Sequence, residues 1–116
     1  MAPSSSIAEV IDSVLGALAD PTRRRLLDQM AESGQATASK LASGLPISRQ
    51  AVIKHLTVLD AAGLVESTKV GREVRFGVRP EALDTTARWM ASLAADWDRR
   101  LAKIKRAAEA AERAAR

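Results

Sequence analysis

Ile47-Ser48-Arg49-Gln50-Ala51-Val52-Ile53-Lys54-His55-Leu56, continued by Thr57-Val58-Leu59-Asp60-Ala61-Ala62-Gly63, is the stretch whose reading decides the fold. Ser48 reads as an N-cap, because a short hydroxyl side chain can accept a hydrogen bond from a free amide of the first helical turn. Val52, Leu56 and Leu59 recur at i, i+4 and i+7, the spacing of one apolar helix face, and Gly63 supplies the C-terminal stop. Just upstream, Thr37 can cap a helix of about two turns that carries Leu41. That helix ends at Gly44-Leu45-Pro46, since proline disfavours a helical residue before it.

Two short helices joined by a tight turn make residues 37–63 a helix-turn-helix candidate. Beyond Gly63 the period changes from 3.6 to 2. Leu64 to Val70 is β-prone, Gly71-Arg72 is a turn, and Val74, Phe76 and Val78 alternate with Glu73, Arg75 and Gly77. Residues 64–79 are therefore expected as a two-stranded hairpin, with Val74, Phe76 and Val78 packed inward against the helices.

Toward the N-terminus, Ile7, Val10, Ile11, Val14, Leu15 and Leu18 form the stripe of an amphipathic helix within residues 1–19, capped by one of Ser4 to Ser6. Asp20-Pro21 gives a second helix its cap and first-turn proline; Leu26, Leu27 and Met30 line it, and Gly34 ends it. Toward the C-terminus, residues 81–113 read as one helix. Leu83, Ala87, Met90, Ala94, Trp97, Leu101, Ile104, Ala108 and Ala111 alternate there by four and three, a seam of the coiled-coil kind. The pairs Asp96–Arg100, Glu109–Arg113 and Glu112–Arg116 are placed to support its exposed face. A helix of that length runs about 50 Å, longer than a domain of this size can cover, so the seam calls for a partner chain.

The 116 residues suffice for a single domain, with 47% hydrophobic and 28% charged residues, neither disordered nor membrane-spanning in composition. No basic cluster precedes an apolar core at the start, so a cytoplasmic location is expected. The absence of cysteine and the single histidine remove thiolate metal sites, thiol catalysis and disulfides. No nucleophile elbow, phosphate-cradling loop or paired-histidine spacing is present, so no catalytic residues, no metal site and no cofactor are expected, and the chain does not read as an enzyme. The net charge of +4 is unevenly spread, with Thr37 to Arg79 alone carrying a balance of +4. An acidic partner such as nucleic acid would meet that middle segment.

The order helix, helix, helix-turn-helix, hairpin, long helix gives a mainly α fold class with a small β-hairpin: a winged helix-turn-helix with terminal dimerisation helices. Several stretches resemble bacterial repressors of the ArsR/SmtB family. They are Leu18-Ala19-Asp20-Pro21-Thr22-Arg23, Ile47 to Val52 with Lys54-His55-Leu56, Leu59-Asp60-Ala61-Ala62-Gly63-Leu64-Val65, and the wing tip Gly71-Arg72. Trp89, and Trp97-Asp98 with Leu101, are similar to the branch whose members often sit beside genes for START-like proteins. The resemblance implies a homodimer that binds a palindromic operator in double-stranded DNA, acts as a transcriptional repressor, and is released by an inducer, here a small molecule of unknown identity. Metal-sensing members carry a cysteine motif on the helix before the turn, whereas this chain reads Thr37-Ala38-Ser39-Lys40-Leu41. Asp84, Asp96 and Asp98 on the last helix have no histidine there to join them, so metal sensing is not expected.

The candidate DNA-binding residues are Ser48, Arg49, Gln50, Ile53, Lys54 and His55 on the second helix of the motif, Lys40 on the first, and Lys69, Arg72 and Arg75 on the wing. Arginine can pair bidentately with guanine and glutamine with adenine; the plainer reading of this face is solvated polar surface. Ile53 either touches a thymine methyl or is simply exposed. His55 is structural or meets a phosphate, and Arg23, Arg24 and Arg25 either meet phosphate or pair with Asp20 and Asp28. Trp89 and Trp97 either line an inducer cavity or pack. The expected dimer contact comprises Val10, Val14, Met90, Ala94, Trp97, Leu101 and Ile104. The alternative function is a winged-helix protein-interaction adaptor with only non-specific DNA affinity.

Overall fold

The computed structural model describes residues 5–116 and contains α1 (Ser5–Leu18), α2 (Pro21–Ser33), β1 (Ala36–Thr37), α3 (Ala38–Ser43), α4 (Arg49–Ala61), β2 (Val65–Val70), β3 (Glu73–Val78) and α5 (Glu81–Ala115). The winged helix-turn-helix order is thus present, with α3 and α4 as the motif and β2–β3 as the wing. The chain divides into two units, one ending at Thr86 and the other Ala87–Arg116.

Cap chemistry sets the helix boundaries in the first unit. Asp20, in extended conformation, accepts from Thr22 N at 2.7 Å and Arg23 N at 3.2 Å, and Pro21 follows it in the first turn of α2. Thr37 Oγ1 accepts from Lys40 N at 3.2 Å to start α3, and Ser48 Oγ from Ala51 N at 3.1 Å to start α4. At the end of α4, Leu64 N donates to Leu59 O and Gly63 N to Asp60 O, both at 2.9 Å, a Schellman closure. It requires the left-handed backbone that Gly63 adopts at φ +75°. Of the residues expected to cap α1, Ser5 and Ser6 fall within the helix range and Ser4 lies outside the described residues.

The core joins the apolar faces of these helices: Val14 from α1, Leu26 and Met30 from α2, Leu41 from α3, and Val52, Leu56 and Leu59 from α4, closed by Leu64 and Val65. The α1 stripe is wider than the surface it meets. Ile11, Val14 and Ala17 are buried, whereas Ile7 and Leu15 stay exposed. Val14, expected at a dimer contact, is 0% exposed within the chain's own core, because it lies on the α1 face turned to α2 and α4.

The sheet has three antiparallel strands in the order β1-β3-β2, where a two-stranded hairpin was expected. Ala36 pairs with Phe76 and Thr37 with Arg75, so β1 occupies the other edge of β3. A two-residue strand is too short to show a period of its own. The β2–β3 register closes with Val70 opposite Glu73, leaving Gly71-Arg72 as a two-residue loop. Positive φ at Gly71 (+62°) and not at Arg72 is the pattern of a II′ turn, whose twist matches that of the strands. Phe76 and Val78 pack against the core as expected, but Val74 is 45% exposed. It is one residue from the turn, past the part of β3 that reaches the core.

In α5, Ala82 packs on the core and Thr86 is buried, its Oγ1 donating to Ala82 O at 2.9 Å. In the second unit, Met90, Trp97, Leu101 and Ile104 are all more than half exposed, and Ala94 is exposed as well. The charge pairs differ in part from the i, i+4 expectation. Asp96 pairs with Arg99, leaving the Arg100 guanidinium 5.5 Å from the centre of the Trp97 ring, and Glu109 pairs with Lys105 at 4.0 Å. Glu112–Arg116 forms as expected at 3.5 Å. Among the described residues no helix is long and apolar enough to cross a membrane.

Candidate nucleic-acid interface

The first turns of α4 present one polar face. With Val52, Leu56 and Leu59 fully buried, the 3.6-residue period turns Arg49, Gln50, Ile53 and Lys54 outward, and all four are exposed, as is the capping Ser48. The wing approaches the same face. Arg49 and Ile53 of α4, Ser39 of α3, and Arg72 and Val74 of the wing line one groove of about 470 Å³. Lys69, opposite Val74 in the register, is also exposed.

Not every expected residue gathers there. Lys40 and Arg75 line a separate recess of about 280 Å³ with Gln35 and Glu73, and Arg75 Nε donates to Glu73 Oε2 at 3.1 Å. Its charge is thus partly matched within the wing. Glu73 borders both recesses, a carboxylate between two cationic sites.

His55 is half-buried, and its Nδ1 lies 3.4 Å from Arg23 Nη1. Arginine only donates, so the contact is a hydrogen bond in the tautomer that leaves Nδ1 unprotonated. Arg23 Nε also donates to Ala17 O at 2.7 Å and Nη2 to Gly16 O at 3.3 Å, while Nη1 stands 3.8 Å from the Asp20 carboxylate. Arg24 donates to Leu18 O. Both arginines thus satisfy carbonyls at the end of α1 that the helix itself leaves open. Asp20 is subject to opposing influences. Burial disfavours its charge, but the amides of Arg23 and Thr22 and the Arg23 charge outweigh that and hold its carboxyl below the ordinary value.

Sequence reasoning did not find Ser39 and Val74 as groove residues, nor Arg23 as a link between α1, α2 and α4. Val74 was legible as a strand residue but assigned inward. The only signal for Arg23 was its place three residues after the capping Asp20, which leaves open where a long side chain turns. Among the described residues, no three histidine, cysteine, aspartate or glutamate side chains are grouped as metal ligands would be.

Comparison with known proteins agrees with this architecture. Residues 18–68 match a family described as a helix-turn-helix domain. The chain is similar to a solved ArsR-like transcriptional regulator from Rhodococcus sp. RHA1, with 47% identity, a TM-score of 0.77, and coverage of 85% of this chain and 92% of that one. It is 40% identical over 88 residues to the HTH-type transcriptional regulator Rv2034 of Mycobacterium tuberculosis, covering 76% of this chain and 75% of the relative. It is 29% identical over 80 residues to the transcriptional repressor SdpR of Bacillus subtilis, covering 69% of this chain and 88% of that protein. With fold, motif order and identity in agreement over most of its length, the chain belongs to the ArsR-type family of winged helix-turn-helix transcriptional regulators.

Proposed function

We propose that this chain is a sequence-specific DNA-binding repressor, acting in the cytoplasm as a homodimer on a palindromic operator and not sensing metal ions. The observation that carries DNA recognition is the shared groove, in which Arg49 and Ile53 of α4 meet Arg72 of the wing tip. A helix with polar residues in its exposed first turns suits the major groove, where Arg49 and Gln50 can pair bidentately with guanine and adenine. Lys54, Lys69 and Arg72 supply charge to phosphates, which position the protein without reading sequence. Similarity to a Bacillus subtilis repressor favours repression over activation.

Dimerisation is supported by the exposed apolar series on α5, from Met90 (53%) through Trp97 (53%) and Leu101 (58%) to Ile104 (63%). A continuous seam of this kind is unfavourable in water, and a second copy offers the same seam to cover it. On α1, Val10 is half-buried and Ile7 and Leu15 are exposed, so they can contribute where the buried Val14 cannot. A two-fold dimer matches two operator half-sites related by symmetry. The lack of cysteine, together with a lone histidine engaged by Arg23, supports a regulator that does not respond to metal.

The test is a titration of the protein against its own upstream DNA and a scrambled duplex at ~150 mM salt, with and without zinc. The expected result is preference for the native fragment by about 10³-fold or more, unchanged by zinc. Affinities within a few-fold of one another would overturn specific recognition, and a zinc-dependent loss of binding would overturn the claim about metal.

A further inference from the structure

Ile53 is the one apolar side chain on the exposed polar face formed by Arg49, Gln50, Ile53 and Lys54, and it lies one helical turn beyond Arg49. It is 38% exposed and lines the same groove as Arg49 and Arg72. Val74, 45% exposed, and the half-buried Phe76 also line it, so the recess combines an apolar strip with cations from both elements. Exposure alone would mean little, since single apolar side chains are common on protein surfaces. Val58 is 42% exposed on the same helix yet does not line the groove. The placement of Ile53 among groups suited to phosphate and base edges is what distinguishes it.

We propose that Ile53 is a specificity-determining residue that receives the 5-methyl group of a thymine in the operator. This rests on the reading of α4 as the helix that enters the major groove. Among the four base pairs, the only apolar group displayed on that groove's floor is the thymine methyl. Arg49 and Ile53, four residues apart on one helix face, would address neighbouring base edges, the first by charged hydrogen bonds and the second by excluding water from a methyl. A cytosine at the same place would set an amino donor against a side chain with no acceptor. Ile53 therefore selects thymine by both attraction and mismatch.

The experiment begins with duplexes selected by the wild-type protein from random DNA. Each thymine of the enriched site is then replaced singly by deoxyuridine, which keeps its base pairing and removes only the methyl. The expected result is one position per half-site at which this lowers wild-type affinity by about 3- to 5-fold, the worth of one buried methyl. Ile53→Ala should bind the thymine duplex more weakly by a similar factor and not distinguish thymine from uracil at that position, with its melting temperature unchanged. The proposal is overturned if no thymine-to-uracil change affects the wild type, if the enriched site has no thymine within reach of α4, or if Ile53→Ala retains the full uracil penalty. A lowered melting temperature with an affinity loss indifferent to the methyl would assign Ile53 to packing against the wing and equally overturn it. Failure to enrich any sequence is a separate outcome, which removes the DNA-reading function itself.

Discussion

Replacing Arg23 with alanine removes four partners of one side chain: the carbonyls of Ala17 (2.7 Å) and Gly16 (3.3 Å), the Asp20 carboxylate (3.8 Å) and His55 Nδ1 (3.4 Å). The bond to Ala17 O is the shortest of these, and a hydrogen bond to a charged donor contributes about 1.5–3 kcal/mol. The ion pair with Asp20 adds little, since its carboxylate is one-third exposed and screened by solvent. Together the loss should be about 2–3 kcal/mol, or a fall in melting temperature of about 10 °C for a chain of this length. Urea unfolding followed by circular dichroism should show an earlier midpoint with an unchanged slope. Arg23→Lys, which keeps the charge but cannot span both carbonyls and the histidine, should recover about half of the loss. Below the unfolding transition, DNA affinity should stay within about two-fold, because the Arg23 donors face the protein. A stability change under about 0.5 kcal/mol with a several-fold loss of DNA affinity would refute this account and make Arg23 a phosphate contact.

Gln50→Ala should relax discrimination at one base position by about 1–3 kcal/mol, whereas Arg72→Ala should weaken binding to all sequences and reduce the salt slope by about 1; equal effects of both on every sequence, read by fluorescence anisotropy, would undo these roles. Leu101→Asp places a charge on a seam residue that is 58% exposed, so it should leave each chain folded while giving a monomer in sedimentation velocity and abolishing operator binding. A surviving dimer would show that the contact lies elsewhere. Asp20 titrates below its ordinary value of 3.8 in the folded chain, so the stabilisation it gives is complete above that value and fades as pH falls through the lower, folded one. Asp20→Asn, which can still cap α2 but cannot ionise, should therefore be less stable than the wild type above about pH 5 and approach it in acid. Parallel stability curves throughout the acid range would contradict the assignment.

What was legible in the sequence is what depends on neighbours a few residues apart. The caps at Asp20, Thr37 and Ser48, the stop at Gly63 and the turn at Gly71-Arg72 all follow from local chemistry, and each stands where its residue type places it. The exposed face of α4 was legible for the same reason, since the burial of Val52, Leu56 and Leu59 fixes by periodicity which residues face out. What escaped depends on distant partners. The strand character of Ala36–Thr37 comes from Phe76 and Arg75, some forty residues away. Alternation told Val74 from Glu73 but could not tell how far along β3 the core extends. Arg23 and Arg75 show the limit for long charged side chains: Arg75 is expected on the DNA face and Arg23 either at phosphate or beside Asp20, and each is engaged by atoms of its own chain.

Thr37 belongs to two structures at once. Its backbone pairs with Arg75 in the wing, and its hydroxyl caps the helix that opens the helix-turn-helix. Fraying of the wing at Arg75 therefore loosens the start of α3, and fraying of α3 releases the strand edge. Amides of β3 and of the first turn of α3 should open as one cooperative unit in native-state hydrogen exchange. A tilt imposed on the wing would reach α3 through this residue, and α4 through its packing against α3, as a mechanical linkage, so wing and helix-turn-helix move together.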